Sequence, residues 1–212
     1  MIEVLMVDDH ELINTGVAAL LEGTGQYSVA GKAQNLTDAK RFIEESAQVT
    51  MQPVGNKMPQ LVMLDIQLGN ENGLDFITFL KNFCRGKRLK MPNVLVCSIL
   101  EDHFLMRLAL EMGAAGYIPK SSDNEELLRA VSAVCLGKVY VPGKHGDKMV
   151  EITDMYELLT RREKEVLALL RQGKSNQSIS DFLGISKNTV ANIISNIYLK
   201  TGIEYREGLL EL

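Results

Sequence analysis

Val4-Leu5-Met6-Val7-Asp8-Asp9-His10 is the stretch that decides the fold. Four consecutive apolar residues that stop at an acidic pair read as a strand buried on both faces of a parallel sheet. The same plan returns down the chain. Leu61-Val62-Met63-Leu64 ends in Asp65, Val94-Leu95-Val96-Cys97 ends in Ser98, and Gly116-Tyr117-Ile118-Pro119 ends in Lys120. Tyr27-Ser28-Val29-Ala30 is a weaker fifth run. Between the runs, apolar residues keep helical spacing: Leu12, Ile13, Val17, Leu20 and Leu21; Leu36, Ala39, Phe42 and Ile43; Phe76, Ile77, Phe79, Leu80 and Phe83; Leu105, Leu108, Ala109 and Met112; Leu127, Leu128, Val131 and Val134. Five strands alternating with five helices predict a doubly wound α/β fold around a five-stranded parallel sheet.

From Leu158 the pattern becomes purely helical. Thr160-Arg161-Arg162-Glu163 has the form of a capping box ahead of Val166, Leu167, Leu169 and Leu170, and Gly173 closes that helix. Ser175 caps a short helix with Ile179, Phe182 and Leu183, and Leu183-Gly184-Ile185 is a tight turn. Ser186 caps a longer helix with Val190, Ile193, Ile194 and Ile197, which Gly202 ends, and residues 204–212 make a final short helix. A short helix, a glycine turn and a second helix predict a small all-α helix-turn-helix domain. Residues 1–136 are thus one domain, 137–157 a linker marked by Pro142, Gly143 and Gly146, and 158–212 a second domain. Residues 47–60, with Pro53 and Pro59, read as a surface loop.

Composition narrows the class. The chain has 212 residues, 46% hydrophobic and 24% charged, which is ordinary globular usage and excludes global disorder. No apolar run exceeds five residues, too short for a membrane helix, and Met1-Ile2-Glu3-Val4 lacks the features of a secretory leader, so a cytoplasmic location is expected. Cys84, Cys97 and Cys135 are odd in number and far apart, and read as free buried thiols. The net charge of −4 hides an asymmetry. Residues 1–157 hold 15 Lys+Arg against 21 Asp+Glu, whereas residues 158–212 hold 8 against 6, so the two parts differ in sign and suit different partners.

In a sheet of this type, ligands bind outside the carboxyl ends of the strands. Asp8, Asp9 and Asp65 converge there, and three carboxylates repel one another unless a cation is present. Hard oxygen donors with open positions suit Mg²⁺, while Lys120 and Ser98 suit the oxygens of a phosphoryl group. The constellation points to phosphoryl transfer onto a carboxylate.

Val7-Asp8-Asp9-His10, Leu64-Asp65 with Gly73 eight residues on, Cys97-Ser98 and Gly116-Tyr117-Ile118-Pro119-Lys120 together resemble the receiver domain of bacterial two-component response regulators, a flavodoxin-like fold. The resemblance implies that Asp65 is the phosphoacceptor and that Asp8, Asp9, Asp65 and the Gln67 main-chain carbonyl hold Mg²⁺. It further implies that Lys120 contacts the phosphoryl oxygens and that Ser98 and Tyr117 form the switch pair. His10 is a second candidate metal ligand. Gly69 stands where proline is common and gives that loop more freedom; Ile99 follows Ser98 where a small residue is frequent.

The helical part resembles the LuxR-type DNA-binding module through Leu159 to Leu167, Gly173-Lys174-Ser175-Asn176, Leu183-Gly184-Ile185-Ser186, Thr189-Val190 and Asn196-Ile197-Tyr198. The two resemblances together imply a NarL/FixJ-class regulator, phosphorylated by a histidine kinase and acting on promoter DNA as a homodimer, with no membrane partner. The helix from Lys187 should enter the major groove. Val190, Ile193, Ile194 and Ile197 face the core, and Asn188, Ala191, Asn192 and Ser195 face outward, with Asn192 the first choice for reading adenine. Lys174, Lys187 and Lys200 are either phosphate contacts or solvated helix ends. Ile203, Tyr205, Leu209, Leu210 and Leu212 either pack inside the module or form a dimer contact. Ala191 and Ile193 replace the lysine and histidine common in the family, which leaves a rival: a phospho-signalling adaptor whose helical module binds protein. An Mg²⁺-dependent phosphohydrolase is disfavoured, because Gln67 occupies the place of the second aspartate such enzymes use, and the chain is expected not to be an enzyme.

Overall fold

A computed structural model describes residues 1–49, 58–99, 103–142 and 158–203, together with Arg206 and Leu209. These fall into two compact units, Met1–Leu100 with Met112–Val141, and Glu101–Glu111 with Pro142–Leu212.

The first unit is built on a parallel sheet of β1 (Ile2–Val7), β2 (Tyr27–Ala33), β3 (Leu61–Asp65), β6 (Asn93–Ser98) and β7 (Gly116–Pro119), in the order β2-β1-β3-β6-β7. The helices between the strands in sequence are α1 (Glu11–Gly23), α2 (Leu36–Val49), α3 (Leu74–Lys87), α4 (His103–Met112), whose residues up to Glu111 group with the second unit, and α5 (Asn124–Cys135). This is the predicted five-stranded doubly wound fold. Successive residues of a strand point to opposite faces. Val4, Met6, Leu61, Met63 and Leu95 pack with Ala18 and Leu21 of α1 and with Ala130, Val131 and Val134 of α5. Their neighbours Leu5, Val7, Val62, Leu64, Val94 and Val96 point the other way and are equally inaccessible, so both faces are covered. That is why these strands read as unbroken apolar runs rather than alternating ones.

Three details depart from the sequence reading. A short antiparallel hairpin, β4 (Gln67–Leu68) with β5 (Glu71–Asn72), follows β3. Helix α2 continues to Val49, so residues 47–49 are helical rather than loop, and residues 50–57 lie outside the described residues. The three cysteines are free, but only Cys84 is buried; Cys97 and Cys135 are half-buried.

The second unit contains α6 (Arg161–Arg171), α7 (Asn176–Leu183) and α8 (Lys187–Thr201). The predicted caps form. Thr160 N–H donates to Glu163 Oε2 at 2.6 Å, and Glu163 N–H donates back to the Thr160 hydroxyl. Ser175 and Ser186 accept from the third residue of their helices at 3.1 and 3.0 Å. Gly184 ends α7 at φ +61°, a left-handed conformation that glycine adopts without steric cost and that sets the angle into α8. Leu159, Val166, Leu167, Leu170, Ile179, Val190, Ile194 and Ile197 form the core, with Ile193 and Ile203 packed against it. Leu209 is buried in the same core. Most of the expected linker (143–157) and of the final helix, including Tyr205, Leu210 and Leu212, lies outside the described residues.

Candidate functional site

Strand ends bring the acidic residues together. Asp8 and Asp9 follow β1, Asp65 closes β3, Ser98 closes β6, and Lys120 follows β7. Carboxylate oxygens of Asp8, Asp9 and Asp65 and a ring nitrogen of His10 all lie within 4.8 Å of one another. Asp8 and Asp65 are buried, whereas Asp9 and His10 are open to solvent. Lys120 Nζ reaches Asp8 Oδ2 at 2.6 Å and Asp65 Oδ2 at 2.7 Å. Burial pushes the Asp65 carboxyl above its ordinary value, and the Lys120 ammonium opposes this without cancelling it. Burial would lower the Lys120 ammonium, but hydrogen bonds and charge from Asp65 and Asp8 outweigh it and hold its pKa high, so it stays a cation.

Three carboxylates face one lysine, an excess of negative charge on oxygen donors with an exposed side at Asp9. That donor set fits a hard divalent cation which keeps part of its water. Gln67 stands beside it, its N–H donating to Asp65 Oδ1 at 3.2 Å. His10 Nδ1 lies 2.8 Å from Asp9 Oδ1 and 3.1 Å from Asp8 Oδ1, so its ring belongs to the same cluster.

The surrounding backbone is tied to the site. Gly69 sits at φ +57°, which proline cannot adopt, and its N–H donates to Asp9 Oδ2 at 3.0 Å. Gly73 N–H donates to the Ile66 carbonyl at 2.8 Å, and a Cβ on Gly73 would overlap the Asp65 carbonyl oxygen. The Lys120 N–H donates to the Ser98 carbonyl at 2.7 Å. Ser98 and Tyr117 are both buried, at 1% and 0% exposure, while Ile99 is exposed. Asn14 is a residue the sequence reading missed: buried on α1, it donates from Nδ2 to the Asp8 carbonyl at 2.7 Å. The signal was present, because Asn14 shares the buried stripe of Ala18 and Leu21.

In the second unit, Asn188, Ala191, Asn192 and Ser195 lie exposed on α8, with Lys187 exposed at its start. Lys174 places its ammonium 5.5 Å from the centre of the Phe182 ring. Lys200 is engaged elsewhere. Its Nζ donates to Glu163 Oε2 at 2.7 Å, closing the end of α8 onto the start of α6.

Among the described residues no helix is long and apolar enough to cross a membrane. Residues 4–132 match the response regulator receiver domain, and residues 157–211 match the luxR family of bacterial regulatory proteins. The transcriptional regulatory protein LiaR of Bacillus subtilis is 30% identical over 213 residues, spanning 97% of this chain and 93% of LiaR. The DNA-binding transcriptional activator DevR/DosR of Mycobacterium tuberculosis is 30% identical over 216 residues, spanning 97% and 91%. The fold resembles RcsB from Salmonella enterica serovar Typhimurium, solved bound to promoter rprA, with a TM-score of 0.68 at 18% identity over 99% of this chain and 96% of that one. The chain belongs to the two-component response regulators that join a receiver domain to a LuxR-type DNA-binding domain.

Proposed function

We propose that this regulator is switched by phosphorylation of Asp65 and controls transcription by binding promoter DNA as a homodimer. The receiver would comprise residues 1–136, with 137–157 linking it to the DNA-binding domain at 158–212. A histidine kinase is the proposed donor. An Asp65 oxygen attacks phosphorus, the bond from phosphorus to the kinase imidazole breaks, and the imidazole leaves with the electron pair and takes a proton. Mg²⁺, held by Asp8, Asp9, Asp65 and the Gln67 carbonyl, would supply neutralising charge for the transferred group. Lys120 turns from the carboxylates to the phosphoryl oxygens, and Ser98 and Tyr117 carry the change onward.

The observation that carries the reading is the buried Asp65 carboxylate held at 2.7 Å by Lys120 beside two further carboxylates. Such a group is shielded, oriented and placed where a divalent cation and a phosphoryl group can meet it. Lys174 and Lys187 supply phosphate contacts along DNA in this reading, and Asn188, Ala191, Asn192 and Ser195 supply the groove face. Ile193 packs against the domain core, so a residue that favoured a protein-binding adaptor is spent on packing.

Labelling with acetyl phosphate and Mg²⁺ tests the switch. One phosphoryl group per chain is expected, prevented when Mg²⁺ is chelated beforehand and absent in Asp65→Asn. Full labelling of that variant would refute the assignment.

A further inference from the structure

Helix α8 places Asn188, Asn192 and Asn196 at successive four-residue steps, and all three are exposed. Among the described residues none of their side-chain amides is engaged. Their polar neighbours are already occupied. The Thr189 hydroxyl meets that of Ser186 at 2.8 Å, Ser195 donates to the Ala191 carbonyl at 3.1 Å, Thr201 donates to the Ile197 carbonyl at 2.8 Å, and Lys200 is held by Glu163. The asparagines are therefore the amides that α8 leaves free to bond something else.

An asparagine amide offers one acceptor and one donor side by side. The major-groove edge of adenine offers N6–H and N7, the matching pair, whereas guanine offers two acceptors. Four residues advance a helix by about 6 Å, close to two base-pair steps of about 3.4 Å. Each four-residue step also turns about 40° round the helix, so Asn196 stands toward the edge of the face that Asn188 and Asn192 share with Ala191. Ala191 adds an exposed methyl beside Asn192, suited to the methyl of thymine.

The cations of this unit point the same way. Arg161 and Arg162 are held by Glu165, Lys164 by Glu111, and Lys200 by Glu163. Arg206 bonds Asn176 and the Lys174 carbonyl. Among the described residues of the unit, Lys174 and Lys187 are the lysines whose ammonium groups have no ion pair, and that of Lys174 lies 5.5 Å from the centre of the Phe182 ring. Little charge remains for sequence-independent attraction, so base contacts must carry a large share of binding.

We infer that α8 reads an A·T-rich half-site, with Asn188 and Asn192 bonding adenines about two base pairs apart and Ala191 lying against a thymine methyl. The inference rests on the DNA-binding reading above and specifies what that surface recognises.

The test is selection from a random double-stranded DNA pool with the full chain treated with acetyl phosphate and Mg²⁺, followed by affinity measurements on the selected site. The expected half-site carries two A·T pairs about two steps apart, and changing either to G·C lowers affinity about tenfold or more. Asn192→Arg should turn one of those positions to guanine and leave the other as adenine. Asn192 is exposed and arginine is the better helix former, so the variant should fold, which circular dichroism checks. Binding by the unselected site should also fall weakly with salt, with a logarithmic slope of about −2 per protomer. An enriched half-site with G·C at both positions, or a folded Asn192→Arg that selects the wild-type sequence, overturns the adenine reading while leaving DNA binding standing. No enriched sequence from a chain that takes up the phosphoryl group overturns both.

Discussion

Gly73→Ala tests whether the loop after Asp65 is held as tightly as its geometry indicates. Gly73 has φ −55°, which alanine adopts freely, so any cost comes from space rather than backbone strain. The added Cβ would overlap the Asp65 carbonyl oxygen and would stand 3.0 Å from Asp65 C and 3.1 Å from Ile66 Cα. All three neighbours are backbone, which cannot rotate away as a side chain could. Relief requires the chain to part by on the order of 1 Å, and Gly73 N–H is bonded to the Ile66 carbonyl across that same gap. Overpacking of this kind costs about 1–3 kcal/mol, and losing the hydrogen bond adds about 1 kcal/mol. In urea the midpoint should fall by about 1 M or more, taking a slope of about 2 kcal/mol per M. Displacing Asp65 by that distance should also slow labelling by acetyl phosphate by up to about a hundredfold. Gly86→Ala is the internal control, because the same helix α3 leaves nothing within 4 Å of a Cβ there. It should stabilise by about 0.5–1 kcal/mol and leave labelling unchanged. If Gly73→Ala unfolds at the wild-type midpoint and labels at the wild-type rate, the loop is not held as described.

Burial would raise the Glu163 carboxyl, but bonds from Lys200 and Thr160 outweigh it and hold its pKa below the ordinary value. Its contribution to stability is therefore present above the ordinary carboxylate value and is lost as pH falls through the lowered one; acid titration of unfolding should show this loss in the wild type and not in Glu163→Gln. Lys200→Met should destabilise the helical unit by on the order of 1 kcal/mol, read by thermal melting, and should leave the salt slope of DNA binding unchanged, since Lys200 is committed to Glu163. Cys97 is half-buried as a residue, but its thiol is the enclosed part and burial pushes it up to about 12, so it should resist iodoacetamide at pH 8 in the folded chain and react once urea unfolds it. Rapid alkylation of Cys97 without denaturant, mapped by mass spectrometry, would contradict its placement.

The sheet and its site were legible because parallel strands carry unbroken apolar runs, and the first polar residue after each run marks the carboxyl end. Asp8, Asp65, Ser98 and Lys120 fall at those ends as the runs predicted. The Gln67–Asn72 hairpin was not legible, because strands of two residues have no period to detect. Lys200 shows a different limit. A lysine near a helix end and a glutamate 37 residues earlier have no local signature as a pair, and only the packing of α8 on α6 reveals it. Gly69 was read as a source of freedom from its residue type, but its left-handed φ and its bond to Asp9 make it part of the site's frame. Residue type records what a backbone can do; the hydrogen-bond partner decides what it does here.

If Asp65 is phosphorylated as proposed, Lys120 offers a route by which the added charge is felt beyond the crevice. Its ammonium bridges the ends of β1 and β3 through Asp8 and Asp65, and its own N–H is bonded to the Ser98 carbonyl at the end of β6. Tyr117 lies three residues before it on β7, and the N–H of Tyr117 donates to the Tyr140 carbonyl at 2.9 Å, beyond the end of α5. One side chain thus answers to Asp65 while its backbone belongs to the segment that carries the buried tyrosine. Under the proposed chemistry, a phosphoryl group on Asp65 draws the ammonium away from Asp8, and the pull is delivered to a backbone already bonded to Ser98. Such a coupling would need no long chain of intermediates, because Asp65, Lys120 and the Ser98 carbonyl are linked by two bonds of 2.7 Å and Tyr117 stands on the same strand segment three residues before Lys120.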